Sequence, residues 1–390
     1  MRVLLISYWF PPSGVIGARR WGEFYNLSKV DDDIEFTVLT ANWKGARNND
    51  ININYIGEEV EYFPPSSLNK KITMIDIIKH PTVAIRSLDR SVFSSWYEKT
   101  KTWLDENSKN EYDIIISSYS PISSILLGNY AKLIYKIPHI IDLRDLISSQ
   151  GQKIKVPLIN FMDKQIDKFI TRQADAFLVV SPKCKLKAVA LYSKEVHTVY
   201  NGLSVGIKEK SIDLCIKDKD AIRILYMGTL GLSRNPSEIL TILNDYAKNN
   251  KINVEVNFAS QDNPNDFANM KAMNKIKINW LGYLSKADLE QEKHKSDAFL
   301  LLEDLNEKGN ENLTGKVFEY ICEKKPILIS CHKESDIVSL MKEINAGMLI
   351  KTQEDMKDFL YEQRYLNIEK VNFYTRENQF NILKKVIRHV

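Results

Sequence analysis

Cysteine is scarce and scattered in this 390-residue chain: Cys184, Cys215, Cys322 and Cys331 stand far apart and form no C-x-x-C. That excludes a disulfide-framed scaffold and fits reduced thiols. Cys331 and His332 are adjacent, but no second Cys/His cluster stands near them in sequence, so no zinc site is expected. An excess of one charge is also lacking: 54 Lys+Arg against 50 Asp+Glu leaves +4. No global basic field therefore argues for nucleic acid as a partner. No apolar run approaches the ~18 residues of a membrane span. The opening Met1-Arg2-Val3-Leu4-Leu5-Ile6-Ser7 is too short for a signal h-region and reads as a buried strand. A cytoplasmic protein is expected, with any membrane contact peripheral, on the inner face of the plasma membrane.

What is present is ordinary for a soluble globular enzyme: 44% hydrophobic and 27% charged residues. At ~100–200 residues per domain, the length favours two domains. Short apolar runs alternate with longer helical patterns. The first series is Val3–Ser7, Phe36–Thr40, Ile114–Ser118, His139–Leu143, Phe177–Ser181 and Val196–Tyr200. The second is Ile222–Met227, Val254–Ala259, Ile276–Trp280, Ala298–Leu302, Pro326–Ser330 and Gly347–Ile350. Several are apolar on both faces, as strands of a helix-covered parallel sheet must be. The expectation is an α/β chain of two doubly wound, Rossmann-like domains. Residues 1–203 form the first, 204–221 a polar linker and 222–365 the second. The segment 366–390 ends in a helix, about Arg376–Arg388, with an apolar stripe of Phe380, Leu383, Val386 and Ile387, and packs back on the first domain.

Leu68–Lys101 breaks the alternation. It carries seven basic residues (Lys70, Lys71, Lys79, Arg86, Arg90, Lys99, Lys101), three acidic ones, and interleaved Ile, Phe, Trp and Tyr. Such a basic, aromatic, amphipathic insertion suits an anionic membrane surface; the plainer reading is a packed helical hairpin with a solvated basic face.

The strongest chemical signal is Glu311-Asn312-Leu313-Thr314-Gly315-Lys316-Val317-Phe318-Glu319, two glutamates separated by seven residues. A buried strand precedes it and a helix follows. Thr314 suits the N-cap, and Gly315 allows close approach of a ligand to the backbone. First-turn N–H groups and Lys316 then make an anion site. Glu319 shares the face of Lys316, and Glu311 reaches the far end of the same ligand. The plainer reading is a surface loop with a Lys–Glu pair on a helix.

With this element, the two Rossmann-like halves and Lys325-Pro326-Ile327-Leu328, the chain resembles retaining glycosyltransferases of the GT-B fold, family 4. Further signs are Ser7-Tyr8-Trp9-Phe10-Pro11-Pro12-Ser13-Gly14 leading to Gly17-Ala18-Arg19-Arg20-Trp21, then Ile141-Asp142-Leu143-Arg144-Asp145 and Val199-Tyr200-Asn201-Gly202. The resemblance spans essentially the full length and implies a nucleotide-sugar site in an interdomain cleft. It places Glu311 beside the donor sugar and Glu319 on the ribose hydroxyls. It gives the diphosphate to Lys316 and the backbone of Thr314, Gly315 and Val317. The base goes to the loop of Gly282, Tyr283 and Leu284, and the loop Gly14–Gly17 closes over phosphates and sugar. Asp142, Arg144, Asp145 and Arg19 would face the acceptor. Where the family often has G-R-L…K-G, this chain reads Gly228-Thr229-Leu230-Gly231-Leu232-Ser233-Arg234. Arg234 replaces the lysine as a phosphate fork, but Thr229 supplies no charge.

The implied activity is metal-independent transfer of a hexosyl group from a nucleotide sugar, a UDP-sugar for preference, to a saccharide or lipid-linked acceptor in cell-surface polysaccharide synthesis. No cofactor is expected. Positive charge develops at the anomeric carbon; cations and a helix N-terminus stabilise the departing diphosphate. Retention follows from the resemblance, by front-face attack assisted by the leaving phosphate, so Glu311 is not cast as a nucleophile. Asp31-Asp32-Asp33 imitates a metal-binding D-x-D but reads as a solvated turn, and His139 as structural. A nicotinamide dehydrogenase needs G-x-G-x-x-G directly after a strand, and Gly14-x-x-Gly17 lacks the first tight pair. A nucleotide-sugar epimerase of the same fold, or a catalytically silent binding or scaffold subunit, are the alternatives.

Overall fold

Strands apolar on both faces need cover on both faces, and the computed structural model meets that need twice, with two all-parallel sheets. It describes the chain except residues 61–90, 92–93, 148–156, 217–218, 220, 232–233 and 268–272. Most of Leu68–Lys101 therefore lies outside the described residues. Unit 1 comprises Met1–Asn201 with Arg376–Val390, and unit 2 comprises Gly202–Thr375.

Unit 1 contains β1 (Arg2–Ser7), β2 (Glu35–Trp43), β3 (Ile53–Val60), β4 (Ile114–Tyr119), β5 (His139–Leu143), β6 (Ala176–Val179) and β7 (Glu195–Thr198), in sheet order β3-β2-β1-β4-β5-β6-β7. Leu5 lies opposite both Val38 and Ile116, while β2 and β3 shift register between Ala41 and Asn42. The strand β3 escapes sequence reading. It is an edge strand that carries Gly57, Glu58 and Glu59 and is buried mainly at Ile53, so it shows no continuous apolar run. Between β4 and β7 the helices Ile122–Tyr135, Pro157–Thr171 and Pro182–Tyr192 cross over on one side of the sheet. Ile125, Ile141, Phe177, Ile170 and Ala188 form the core beneath them.

The helix Arg376–His389 packs against the helix Ile16–Ser28, burying Phe380, Leu383, Val386 and Ile387 with Trp21 and Phe24. Arg376 pairs with Glu23 and donates from Nε to the Asn201 carbonyl at 3.1 Å. Lys384 pairs with Asp31, and Arg388 with Asp33 at 2.6 Å. The aspartate run is thus an anchor for this helix, not a purely solvated turn.

Unit 2 contains β8 (Ala221–Met227), β9 (Asn253–Ala259), β10 (Ile276–Trp280), β11 (Ala298–Leu302), β12 (Ile327–Ser330) and β13 (Gly347–Leu349), in order β10-β9-β8-β11-β12-β13. The stretch expected as a linker is stitched to residues 364–374. Leu214 N–H bonds the Arg364 carbonyl and Leu366 N–H the Ile212 carbonyl, while Leu203, just before the stretch, bonds through N–H to the Tyr374 carbonyl. It therefore belongs to unit 2. In each sheet the strand order reverses beside the first strand, between β1 and β4 and between β8 and β11. Open α/β sheets bind ligands outside the carboxyl ends of strands at that switch point. No described helix is long and apolar enough to cross a membrane.

Candidate functional site

At the switch point of unit 2, β8 runs from Met227 into Gly228. Met227 N–H donates to the Tyr320 hydroxyl at 2.9 Å, and Gly228 N–H to the Ala259 carbonyl. The Tyr226 hydroxyl donates to the Thr229 carbonyl at 2.7 Å. Beyond it, the Asp262 carboxylate accepts from Leu230 N–H at 2.8 Å and Gly231 N–H at 3.4 Å. Every residue of this loop from Met227 to Gly231 is thus held in place by the strands and helix around it. Gly228 suits the backbone turn and leaves room for the Lys316 ammonium. Its φ is +113°, and a Cβ there would lie 2.4 Å from Lys316 Nζ.

Lys316 comes from the helix Gly315–Cys322, whose inner residues Val317, Phe318, Tyr320 and Ile321 are buried. Tyr320 stacks on Phe299 of β11 with centroids 4.9 Å apart, which fixes the helix to the sheet. Thr314 sits at the N-cap but makes no side-chain cap bond, and its Oγ1 is buried without a hydrogen-bond partner. The first-turn N–H groups therefore end the helix uncapped by Thr314, at the positive end of its dipole. Half-buried Lys316 extends its ammonium over the Tyr226 ring, 5.0 Å from the centroid. Burial, then the nearby Arg234 charge, push its pKa down to about 8; Glu303 and Glu319 pull the other way.

The charge opposite is one that sequence reading missed. Glu303, directly after the apolar strand β11, is 3% exposed. It holds Arg234 through Nε at 3.0 Å and Nη2 at 2.9 Å. The available signal was its position: an acidic residue immediately following a fully buried strand at the switch point. Arg234, Glu303, Lys316 and Glu319 thus share one electrostatic neighbourhood, joined by the forces acting on Lys316.

The remaining expected residues of unit 2 lie nearby in the chain but differ in burial. Glu311 is 8% exposed, in a loop closed by Asn312 N–H on the Gly309 carbonyl and pinned where Asp336 N–H meets the Asn310 carbonyl. Glu319 is half-buried, Thr229 exposed and Leu284 half-buried, while Tyr283 is 82% exposed. Gly282 turns its loop at φ +68°. Among the described residues, no group of three or more His, Cys, Asp or Glu could hold a metal ion.

In unit 1 the expected residues part company. Gly14 is exposed, and a Cβ there would meet nothing. Gly17 is buried against Arg144, where a Cβ would fall 2.0 Å from Nη1. Arg144 donates through Nε to the Tyr119 carbonyl at 3.2 Å, while Arg19 and Asp145 are exposed. Asp142, expected to face an acceptor, is wholly buried. It accepts from Trp21 Nε1 at 2.9 Å, Ser118 Oγ at 3.0 Å and Arg20 Nη2 at 3.4 Å. Arg20 also donates to the carbonyls of Val199 and Tyr200. This carboxylate ties the helix after β1 to the ends of β4, β5 and β7. His139 is likewise interior: burial pushes its pKa down to about 3, and Nε2 lies 2.7 Å from Ser117 Oγ.

No family model matches the chain, and no curated protein matches it. Solved structures do. Sucrose-phosphate synthase from Thermosynechococcus elongatus superposes with a TM-score of 0.64 at 11% identity, covering 100% of this chain and 98% of that one. Anabaena HepE in complex with UDP-glucose gives 0.57 at 9%, covering 100% of both. The lipopolysaccharide outer core galactosyltransferase WaaB gives 0.52 at 16%, covering 100% and 95%. The chain has the GT-B fold.

Two outcomes test these assignments. Asp142→Ala leaves Arg20 buried and uncompensated, and should cost about 3–5 kcal/mol in urea unfolding of unit 1; lost turnover with unchanged stability would instead give Asp142 to a ligand. An unfolded lysine keeps its proton to ~10.4, but Lys316 releases its own near 8. Between those values the unfolded chain binds more protons, so stability rises with pH, by about 1–3 kcal/mol. Lys316→Met should be at least as stable as wild type at neutral pH and should lack that rise.

Proposed function

We propose that the protein is a retaining glycosyltransferase that moves a hexosyl group from a UDP-sugar to a saccharide or lipid-linked saccharide acceptor in cell-surface polysaccharide synthesis. The observation that carries this reading is the uncapped N-terminus of helix Gly315–Cys322 with Lys316 and Arg234 beside it, at the switch point of unit 2. Converging cations and first-turn amides suit a diphosphate, whose negative charge grows as the glycosidic bond breaks. HepE, one of the structures sharing this fold, was captured with UDP-glucose.

In this reading unit 2 binds the nucleotide sugar and unit 1 the acceptor side. Glu319 accepts from the ribose hydroxyls, and Glu311 sits beside the sugar. Thr314, Gly315 and Val317 present backbone to the diphosphate, with Gly228 and Thr229 below it. Tyr283 and Leu284 border the base. Glu303 is a positioning residue: it aims the Arg234 fork, which a mobile side chain would have to find at an entropic cost. The C1–phosphate bond breaks with its electron pair leaving on the diphosphate. The acceptor oxygen bonds C1 on the same face, and its proton passes to the departing phosphate oxygen. Gly14 and Gly17 serve the donor, and Arg19, Arg144 and Asp145 the acceptor. A lipid-linked acceptor would bring the enzyme to the cytoplasmic face of the membrane.

A silent binding subunit has one observation in its favour: Thr229 puts an uncharged side chain where the resembled family often has arginine. Turnover of donor separates the two readings.

Glu319→Ala should weaken UDP binding by about 10- to 150-fold, the equivalent of ~1.5–3 kcal/mol for a charged acceptor lost from hydroxyl donors. Calorimetry with free UDP measures it, and unchanged affinity would remove Glu319 from the ribose. Because the charge on the leaving group is met by Lys316, Arg234 and the helix N-terminus, transfer should continue in excess chelator. Loss of transfer, restored by Mg²⁺ or Mn²⁺, would overturn that assignment.

A further inference from the structure

The helix Pro157–Thr171 of unit 1 is apolar on more than its core side, where Ile170 is buried and Ile166 packs beside it. Its buried face carries two carboxylates, Asp163 at 1% exposure and Asp167 at 0%. Asp167 accepts from the Tyr192 hydroxyl at 3.0 and 3.1 Å, which ties the helix to its neighbour Pro182–Tyr192. Its outer face carries Leu158, Phe161, Met162 and Phe169, all exposed, at the three- and four-residue spacings of one helical stripe. The neighbouring helix continues the surface with exposed Leu186 and Val189.

Cations accompany these apolar side chains. Lys164, Lys168, Arg172 and Lys185 are exposed, and the Arg172 guanidinium lies over the Phe169 ring, 4.1 Å from its centroid. Across 157–192 the sequence holds six basic residues and three acidic ones. Two of those acids are the buried aspartates, and the third, Asp175, is held by Lys132 at 2.6 Å. A recess of about 430 Å³ opens at the end of this face, lined among others by Lys136, Arg172 and Lys194.

We infer that this face docks unit 1 on an anionic lipid surface, with Leu158, Phe161, Met162 and Phe169 among the acyl chains and Lys164, Lys168 and Arg172 at the phosphates. The inference goes beyond the glycosyl-transfer reading and does not depend on it. Charge selects this occupant. An isologous contact with a second copy brings two net-positive patches together. An anionic leaflet meets both halves of the pattern: apolar side chains enter the headgroup boundary, and each cation near it multiplies affinity roughly fivefold. The recess suits a phosphate headgroup between Lys136, Arg172 and Lys194.

Sedimentation with vesicles tests this. The full chain should bind phosphatidylcholine vesicles that carry phosphatidylglycerol, and not pure phosphatidylcholine. High salt should weaken binding, because the Debye length falls to ~3 Å at 1 M. Phe161→Ser with Phe169→Ser should lower the partition coefficient roughly tenfold or more, since two exposed rings lose their burial. Its melting temperature should not fall, because both rings face outward. Absence of phosphatidylglycerol-dependent binding would overturn the inference, as would wild-type binding by the double variant. So would binding abolished by replacing Lys70, Lys71 and Lys79 with Glu while the double variant binds normally. A concentration-dependent dimer in light scattering, lost in the double variant without any vesicle binding, would give the face to a second copy instead.

Discussion

The pair between Glu303 and Arg234 governs the chemistry available at the end of β8 and β11. A carboxylate taken almost wholly out of water costs several kcal/mol unless it is matched, and Arg234 matches it through two nitrogens. The arginine, which follows a glycine-bearing loop, is thereby fixed against the sheet. Its charge then weighs on Lys316, which burial has already made easier to deprotonate. Removing Glu303 would alter all three groups at once. The site is better understood as one balanced set of charges than as a row of separate ligands.

Unit 1 solves a similar problem to the opposite end. There too an arginine following the first strand meets a buried carboxylate at the strands' carboxyl ends, Arg20 with Asp142. But Trp21, Ser118 and the carbonyls of Val199 and Tyr200 take up most of what the pair leaves over, with Arg20 Nε buried and unpartnered. The result is a sealed joint between elements. In unit 2, the cation nearest the glycine loop rests on an aromatic face, and the adjoining helix starts without a side-chain cap. A network whose bonds are spent mostly on its own elements joins them; one that ends in a lysine and first-turn amides is prepared for an anion. That contrast supports the proposal that donor chemistry belongs to unit 2 more than any single motif does.

The strands with uninterrupted apolar runs were legible to within a residue or three, because a parallel strand buried on both faces has no polar positions to confuse the pattern. The edge strand β3 was not, since one-sided cover admits Gly57, Glu58 and Glu59. Spacing marked Glu311, Lys316 and Glu319 as candidates, and the fold sets Lys316 and Glu319 in one electrostatic neighbourhood. Glu303 was not, because its role arises from Arg234, 69 residues away along the chain. Asp142 was noticed for the right reason, a carboxylate at a strand end, and given the wrong neighbours. Its position in sequence could not reveal that Trp21 and Arg20 would enclose it.

Helical periodicity has a related blind spot. It reveals that one stripe of a helix is apolar but not which side meets the core. In Pro157–Thr171 the hydrophobic stripe is real, and the ordinary inference from it is burial. Here a second apolar stripe faces outward, because Ile166 and Ile170 meet the core beneath and Asp167 beside them is claimed by Tyr192 from the next helix. Once the carboxylates are committed inward, the 3.6-residue repeat forces Phe161 and Phe169 outward, whatever their cost in water. Four large apolar side chains held at a surface by the satisfaction of two buried acids are the mark of a face shaped by something other than the core it covers.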